Sequence, residues 1–166
     1  MWYKNLFQDA SMIEGQISGD IRWHVFIVDD NVADRRLMEI ALQQLDNVGS
    51  ISQYSSPDVV NTIEKLHSES IHNHFFVFLD LHLTPFDGAK ILRQLRAQFP
   101  PTRVPVVTIS GQSDESSWAQ AYDSGANAFW EKPMDLDQLF EQTKSIIRLF
   151  SQLWGSEQAL LHKANG

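Results

Sequence analysis

The chain has 166 residues and no cysteine, which leaves room for about one globular domain and excludes disulfides, thiol catalysis and zinc–thiolate sites. Its formal net charge of -8 argues against a nucleic-acid-binding surface, because such surfaces need clustered Lys and Arg. No stretch approaches about 18 consecutive apolar residues, and no basic segment leads into an apolar run near the first residue, so we expect a cytoplasmic protein without a membrane span.

Short apolar runs alternate with amphipathic stretches along the chain. The predicted strands are residues 23–28, 51–54, 75–79, 104–109 and 126–130. The predicted helices follow them: from Val32 to near Gly49, from Pro57 to Leu66, from after Gly88 to Phe99, from about Asp114 to Gly125, and from Asp135 onward. Five such units with continuously apolar strands predict a parallel sheet covered by helices on both faces.

The two ends of the chain differ from the middle. We expect residues 1–20 to be an N-terminal extension, 21–150 to be the folded domain, and 151–166 to be an extension of the last helix that ends in a loose tail from about residue 156.

Polar residues interrupt the apolar runs where strands end. Asp29 and Asp30 follow the first predicted strand, Asp80 the third, Ser110 the fourth and Lys132 the fifth. The carboxyl ends of parallel strands meet at one edge of a sheet, so these residues should converge. A strand order of 2-1-3-4-5 would make the three aspartates neighbours.

Three carboxylates in one crevice repel one another. At a separation of ~4 Å and an effective dielectric constant of ~20, each pair costs about 4 kcal/mol. Either the carboxyl groups keep their protons or a cation is present, and a hard divalent ion such as Mg²⁺ suits oxygen ligands. Lys132 would add a positive charge and Ser110 a hydroxyl donor. Together they favour a phosphoryl group over an uncharged substrate.

Four motifs carry a family resemblance. They are Phe26–Asp30, Leu79–Leu81 with Asp87–Gly88, Val106–Ser110, and Lys132–Pro133. In this order and spacing they resemble the signatures of bacterial response-regulator receiver domains, over roughly residues 22–150. The resemblance implies a flavodoxin-like, doubly wound, five-stranded parallel sheet of order 2-1-3-4-5 with five helices.

The family's activity is implied with the fold. Such a domain is a switch rather than an enzyme: it accepts a phosphoryl group from a sensor histidine kinase or a histidine phosphotransfer protein, with Mg²⁺, and changes conformation. Asp80 matches the phosphoacceptor. Asp30 would ligate Mg²⁺ directly, Asp29 largely through water, and His82 through its backbone carbonyl.

The remaining roles are carried over in the same way. Ser110 matches the switch hydroxyl and Lys132 the phosphate-binding lysine, so both would bind the transferred group. Phe129 occupies the aromatic switch position. Pro133 would follow the lysine through a cis peptide bond.

Several positions depart from the family pattern or flank the site. The usual proline four residues after the acceptor is replaced by Thr84, with Pro85 one position later, and the switch hydroxyl is followed by Gly111 rather than Ala. His82 and Gln112 flank the site from either side and are candidates for tuning the lifetime of the phosphoryl group.

Aromatic residues concentrate near the fourth helix and fifth strand. We expect about half of Trp118, Tyr122, Phe129 and Trp130 to pack in the core and the others to contact a downstream protein, because this face is the usual output surface of the family. No effector domain is expected after residue 150, so output would travel through protein contacts.

The last predicted helix carries a further apolar patch. Phe150, Leu153 and Trp154 continue its apolar stripe beyond the expected reach of the sheet. Either a second copy of the chain covers them, as a homodimer, or residues 1–13 fold back over them.

Three alternative functions make different demands on the sequence. A pseudo-receiver scaffold that works without phosphate would be expected to lose the acceptor, the acidic pair or the lysine. An aspartyl-phosphate hydrolase would need a second acid two residues after Asp80, where His82 stands, and a nucleotide-binding domain would need a glycine-rich loop after the first strand.

Overall fold

A computed structural model describes residues 21–69, 74–111 and 115–164. This part of the chain contains five parallel strands in one sheet, in the order β2-β1-β3-β4-β5. The strands are β1 (Trp23–Val28), β2 (Val48–Tyr54), β3 (His74–Asp80), β4 (Val106–Ser110) and β5 (Ala128–Glu131). The expected sheet order is confirmed.

Five helices connect or follow these strands within the described residues. They are α1 (Val32–Leu42), α2 (Asp58–Glu69), α3 (Gly88–Gln98), α4 (Glu115–Asp123) and α5 (Leu136–Ala164). Side chains cap the helices that follow β1 and β3: Asn31 accepts hydrogen bonds from the first backbone N–H groups of α1, and Asp87 does the same for α3. These caps fix where each helix begins, directly after the polar loops that end β1 and β3.

Apolar clusters fill both sides of the sheet. Successive strand residues point to opposite faces, so Phe26 and Val28 pack toward α2 and α3, while Val25 and Ile27 pack toward α1 and α5. Because helices cover both faces, the central strands are apolar at nearly every position. Polar residues therefore gather where the strands end.

The last helix differs from its expected extent. It continues to Ala164, so the loose tail expected from residue 156 is wrong for the described backbone. Residues 155–164 include Ala and Leu, which have high helix propensity, and no proline interrupts them.

The patch at the end of the domain is also corrected. Phe150 is buried against Phe76, with ring centroids 5.1 Å apart, and the Trp154 ring meets that of Trp23 at 5.9 Å. The expectation that these side chains lie beyond the sheet is therefore wrong, because Trp23 at the first position of β1 reaches the helix. Leu153 alone of the three stays exposed, at 52%.

Polar bonds hold this end of α5 as well. The indole N–H of Trp23 and the side-chain amide of Asn47 both donate to Ser151 Oγ at 2.8 Å. The hydroxyl of Ser151 in turn donates to the backbone carbonyl of Ile147. The junction of α5 with the amino-terminal end of the sheet is thus part of the domain core.

Candidate functional site

Three carboxylates meet at the carboxyl-terminal edge of the sheet. Val28 pairs with Leu79 across β1 and β3, so Asp29 and Asp80 leave the two strands at the same level. Carboxylate oxygens of Asp29, Asp30 and Asp80 lie within 4.8 Å of one another. The predicted convergence of these residues is what the geometry shows.

Backbone N–H groups orient each carboxylate. The N–H of Asn31 donates to Asp29 Oδ1 at 2.8 Å, and the N–H of His82 donates to Asp80 Oδ1 at 2.8 Å. The N–H of Thr84 donates to Asp30 Oδ2 at 3.0 Å, which links the loop after β3 to the loop after β1. The acids are therefore held in place before any ligand arrives.

Lys132 reaches into this acidic cluster from the end of β5. Its Nζ lies 2.8 Å from Asp29, 2.8 Å from Asp34 and 2.7 Å from Asp80. Its backbone N–H donates to the carbonyl of Ser110 at 2.8 Å, which holds the loop against β4. An ammonium held between carboxylates can stabilise negative charge that is added to any of them.

The electrostatics of the cluster reflect burial and pairing. Burial by itself would lower the pKa of Lys132, but hydrogen bonds to Asp29, Asp34 and Asp80 outweigh it and raise the pKa above its ordinary value. Burial raises the pKa of Asp29 above its ordinary value of 3.8, and the bonds from Lys132 and Asn31 offset this only in part. Burial therefore disfavours the ionised form of Asp29, whereas the carboxylate partners favour the charged form of Lys132.

Asp34 was missed by the sequence reasoning. It lies in the first turn of α1, directly after the cap formed by Asn31. An acidic residue there has an ordinary explanation, since it complements the helix dipole. The available signal was its place in the first turn of the helix that begins just after Asp30, which puts a fourth acid at the same end of the sheet.

Gly88 permits the helix that follows Asp80 to approach the backbone closely. A Cβ at this position would lie 2.1 Å from the carbonyl oxygen of Asp80 and 2.7 Å from Cα of Leu81. The N–H of Gly88 donates to the carbonyl of Leu81 at 3.1 Å. The Asp87–Gly88 pair of the motif therefore has two structural tasks, a helix cap and a close backbone contact.

The other predicted site residues within the described part of the chain lie at or near this edge. Ser110 is buried at the end of β4, next to Ile109, which pairs with Asp80. The side chain of His82 is exposed, and its backbone N–H is the group that contacts the cluster. Phe129 is half-buried on β5, with its ring 6.2 Å from that of Trp118. Gln112 lies outside the described residues.

The expected cis bond is in a different loop. Among the described residues the cis peptide is Thr84–Pro85, so the prediction of a cis bond before Pro133 is wrong. Every X–Pro bond can adopt the cis form at low cost, and the sequence alone did not distinguish the two loops.

The aromatic residues near β5 divide as expected between core and surface. Trp130 is buried, and its indole N–H donates to the side chain of Gln142. Trp118 and Tyr122 on α4 are exposed. They leave an aromatic surface beside Phe129.

Comparisons with known proteins agree with this arrangement. The family model of the response regulator receiver domain matches residues 25–144, and the chain belongs to this family. Two-component signalling is the system in which such domains work.

Curated relatives cover the same region. The transcriptional regulatory protein KdpE of Staphylococcus aureus is 26% identical over 125 residues, which are 75% of this chain and 50% of that protein. The response regulator ArlR of the same species is 27% identical over 124 residues, 75% of this chain and 52% of that protein. The chain thus spans about half the length of these relatives.

Solved structures share the fold. The phosphorylated cyanobacterial phytochrome response regulator RcpA is 25% identical with a TM-score of 0.65, covering 78% of this chain and 94% of that one. A CheY-like receiver domain protein from Methanospirillum hungatei is 16% identical with a TM-score of 0.59, covering 80% of this chain and 98% of that one.

Within the described residues, no helix is both long and apolar enough to cross a membrane.

Proposed function

We propose that this chain is a phosphoacceptor switch in which Asp80 takes a phosphoryl group from a phosphohistidine of a sensor kinase or a histidine phosphotransfer protein. The observation that carries the proposal is the pairing of the Asp80 carboxylate with Lys132 at 2.7 Å, inside the acidic cluster and at the end of the central strand. RcpA, a relative in fold and at 25% identity, is described as phosphorylated.

The transfer needs little covalent chemistry from the protein. A carboxylate oxygen of Asp80 attacks phosphorus, an O–P bond forms, and the P–N bond to the histidine breaks with its electron pair returning to the imidazole nitrogen. Negative charge on the phosphoryl oxygens increases the demand for nearby donors. Lys132 supplies a fixed ammonium there and Ser110 supplies a hydroxyl from the end of β4.

The donor set fits a magnesium ion. Asp29, Asp30 and Asp80 offer carboxylate oxygens within 4.8 Å of one another, and hard divalent cations prefer oxygen ligands. In the proposed site Asp30 would hold the ion directly, Asp29 through water, and Asp80 and the His82 carbonyl would complete the protein ligands. When bound, Mg²⁺ neutralises the carboxylates and the charge that develops on the transferred group.

The acceptor is tested by mass. The protein is incubated with acetyl phosphate and Mg²⁺, and we expect wild type to gain one phosphoryl group and Asp80→Asn to gain none. Asp46→Asn is the matched control, because Asp46 is exposed just before β2 at the opposite edge of the sheet. Stoichiometric phosphorylation of Asp80→Asn would assign the acceptor elsewhere, and an unmodified wild type would favour the pseudo-receiver scaffold.

The metal is tested separately. Asp30→Ala removes the direct oxygen ligand, so we expect weaker Mg²⁺ binding and slow phosphorylation. The fluorescence of Trp130, which packs in the core cluster that includes Ile109 at the end of β4, can report the titration. An unchanged Mg²⁺ affinity in this variant would contradict the assignment of Asp30.

We infer that output passes through protein contacts. Trp118 and Tyr122 present exposed aromatic surface on α4, beside the predicted switch residue Phe129. Burying such side chains against a downstream protein is favourable. The homodimer through α5, the cytoplasmic location and the division at residues 20 and 150 stay predictions.

A further inference from the structure

The three donors of one ammonium are all engaged at this site. Lys132 Nζ carries three N–H groups and has three carboxylate partners, at 2.8, 2.8 and 2.7 Å. Two of these partners, Asp29 and Asp80, belong to the cluster that fits a metal ion. The third partner, Asp34, does not belong to that group among the described residues.

Asp34 also differs from the other two in its position. Asp29 and Asp80 follow or end strands, whereas Asp34 belongs to the first turn of α1. Its side chain is 36% exposed, compared with 8% and 6% for those of Asp29 and Asp80. Its contact in the site is with Lys132.

Phosphorylation changes the surroundings of the two strand-end acids. Once Asp80 carries the phosphoryl group as an acyl phosphate, a phosphoryl oxygen would take the place of the Asp80 carboxylate oxygen beside Lys132. A bound cation would compete with Lys132 for Asp29. Asp34 is neither the proposed acceptor nor part of the carboxylate cluster that fits a metal ion, so its carboxylate would stay available to Lys132 in both states. Lysine has a flexible four-carbon stem, so an acceptor that persists through the reaction limits the movement of its ammonium.

We propose that Asp34 is a positioning residue that holds the ammonium of Lys132 over Asp80 before and during phosphoryl uptake. The proposal rests on the phosphoacceptor function proposed above. Pre-placing a charged donor removes part of the ordering cost from the chemical step, so the limiting rate benefits rather than the affinity for the phosphodonor.

Two other roles for Asp34 lead to different results. If the carboxylate acts only on the dipole of α1, its removal lowers stability and leaves the rate unchanged. If it competes with the phosphoryl group for Lys132, its removal raises the rate.

The experiment compares Asp34→Asn, Asp34→Glu and Glu39→Gln. Glu39 is the matched control, because it lies on the same helix, carries the same charge and pairs with Arg36 instead of Lys132. Phosphorylation by acetyl phosphate at saturating Mg²⁺ is followed over a range of donor concentrations. The ¹⁵N signal of the Lys132 ammonium in the resting protein is recorded for every variant.

We expect the limiting rate of Asp34→Asn to fall about fivefold, which corresponds to about 1 kcal/mol for a partly exposed ion pair, with an unchanged half-saturating donor concentration. Asp34→Glu should recover most of the rate, and Glu39→Gln should match wild type. The protected ammonium signal should be lost in Asp34→Asn alone.

The results that would contradict this proposal differ from those that would contradict the proposed function. A faster Asp34→Asn, or one with the wild-type rate, overturns the proposal, as does an equal loss in Glu39→Gln. If wild type takes up no phosphoryl group, the proposed function fails. The ammonium signal then still decides whether Asp34 holds Lys132.

Discussion

Replacing Gly88 by alanine tests how closely α3 approaches the end of β3 at Asp80. The added Cβ would lie 2.1 Å from the Asp80 carbonyl oxygen, 2.7 Å from Leu81 Cα and 3.0 Å from the Asp80 carbonyl carbon. Ordinary contacts of a Cβ begin at 3.4 Å. All three atoms are backbone, so no flexible side chain can move aside, and α3 or the end of β3 must shift.

The size of the effect follows from two opposing contributions. Overpacking of a well-packed region costs about 1–3 kcal/mol, whereas alanine in place of glycine gains about 1 kcal/mol of helix propensity. The clash here is with backbone, so we expect the upper part of the range, a net loss of about 2 kcal/mol. For a chain of this size that lowers Tm by about 4–8 °C.

The assay is urea unfolding of Gly88→Ala and wild type, with Gly111→Ala as the matched control. A Cβ at Gly111 meets nothing within 4 Å, so that substitution should be neutral or stabilise by about 0.4–1 kcal/mol. Because the shifted backbone belongs to Asp80, the proposed phosphoacceptor, Gly88→Ala should also be phosphorylated more slowly. A Gly88→Ala protein within about 0.5 kcal/mol of wild type would refute the close approach.

Two further predictions concern other parts of the domain. Burial lowers the pKa of His24 below its ordinary value of 6.5, so the unfolded chain binds the proton more readily than the folded one. The contribution of His24 to stability should therefore be complete above about pH 6.5 and fall as the pH drops below it. The urea midpoint should depend less on pH in His24→Gln than in wild type. A fall that is equal in wild type and His24→Gln would assign the effect to other groups. If α5 forms a homodimer, the exposed Leu153 should lie in its interface, and Leu153→Glu should convert the dimer to a monomer in sedimentation. A wild type that stays monomeric at high concentration would contradict the dimer.

Local rules were sufficient for much of the architecture. The unbroken apolar runs predicted buried parallel strands, because both faces of the sheet are covered. Polar residues that directly follow such runs must lie at one edge, so the sequence alone groups Asp29, Asp80 and Lys132. Strand boundaries were less accurate: β2 begins at Val48 because pairing with Trp23 extends it beyond its apolar residues.

The sequence by itself thus determined the fold class and the three acids that follow or end the strands, since both depend on chain order and hydrophobic pattern. Only the tertiary structure decided the partners of Lys132, because the distance from a helix turn to a side chain on a distant strand depends on how α1 packs against the sheet. The packing of α1 brings the Asp34 carboxylate to 2.8 Å from Lys132 Nζ and thereby makes it part of the site. The same holds for Trp154, whose burial depends on Trp23 reaching the end of α5. Spacing along a chain determines which face of an element a residue occupies, whereas contacts between elements depend on packing that the spacing does not encode.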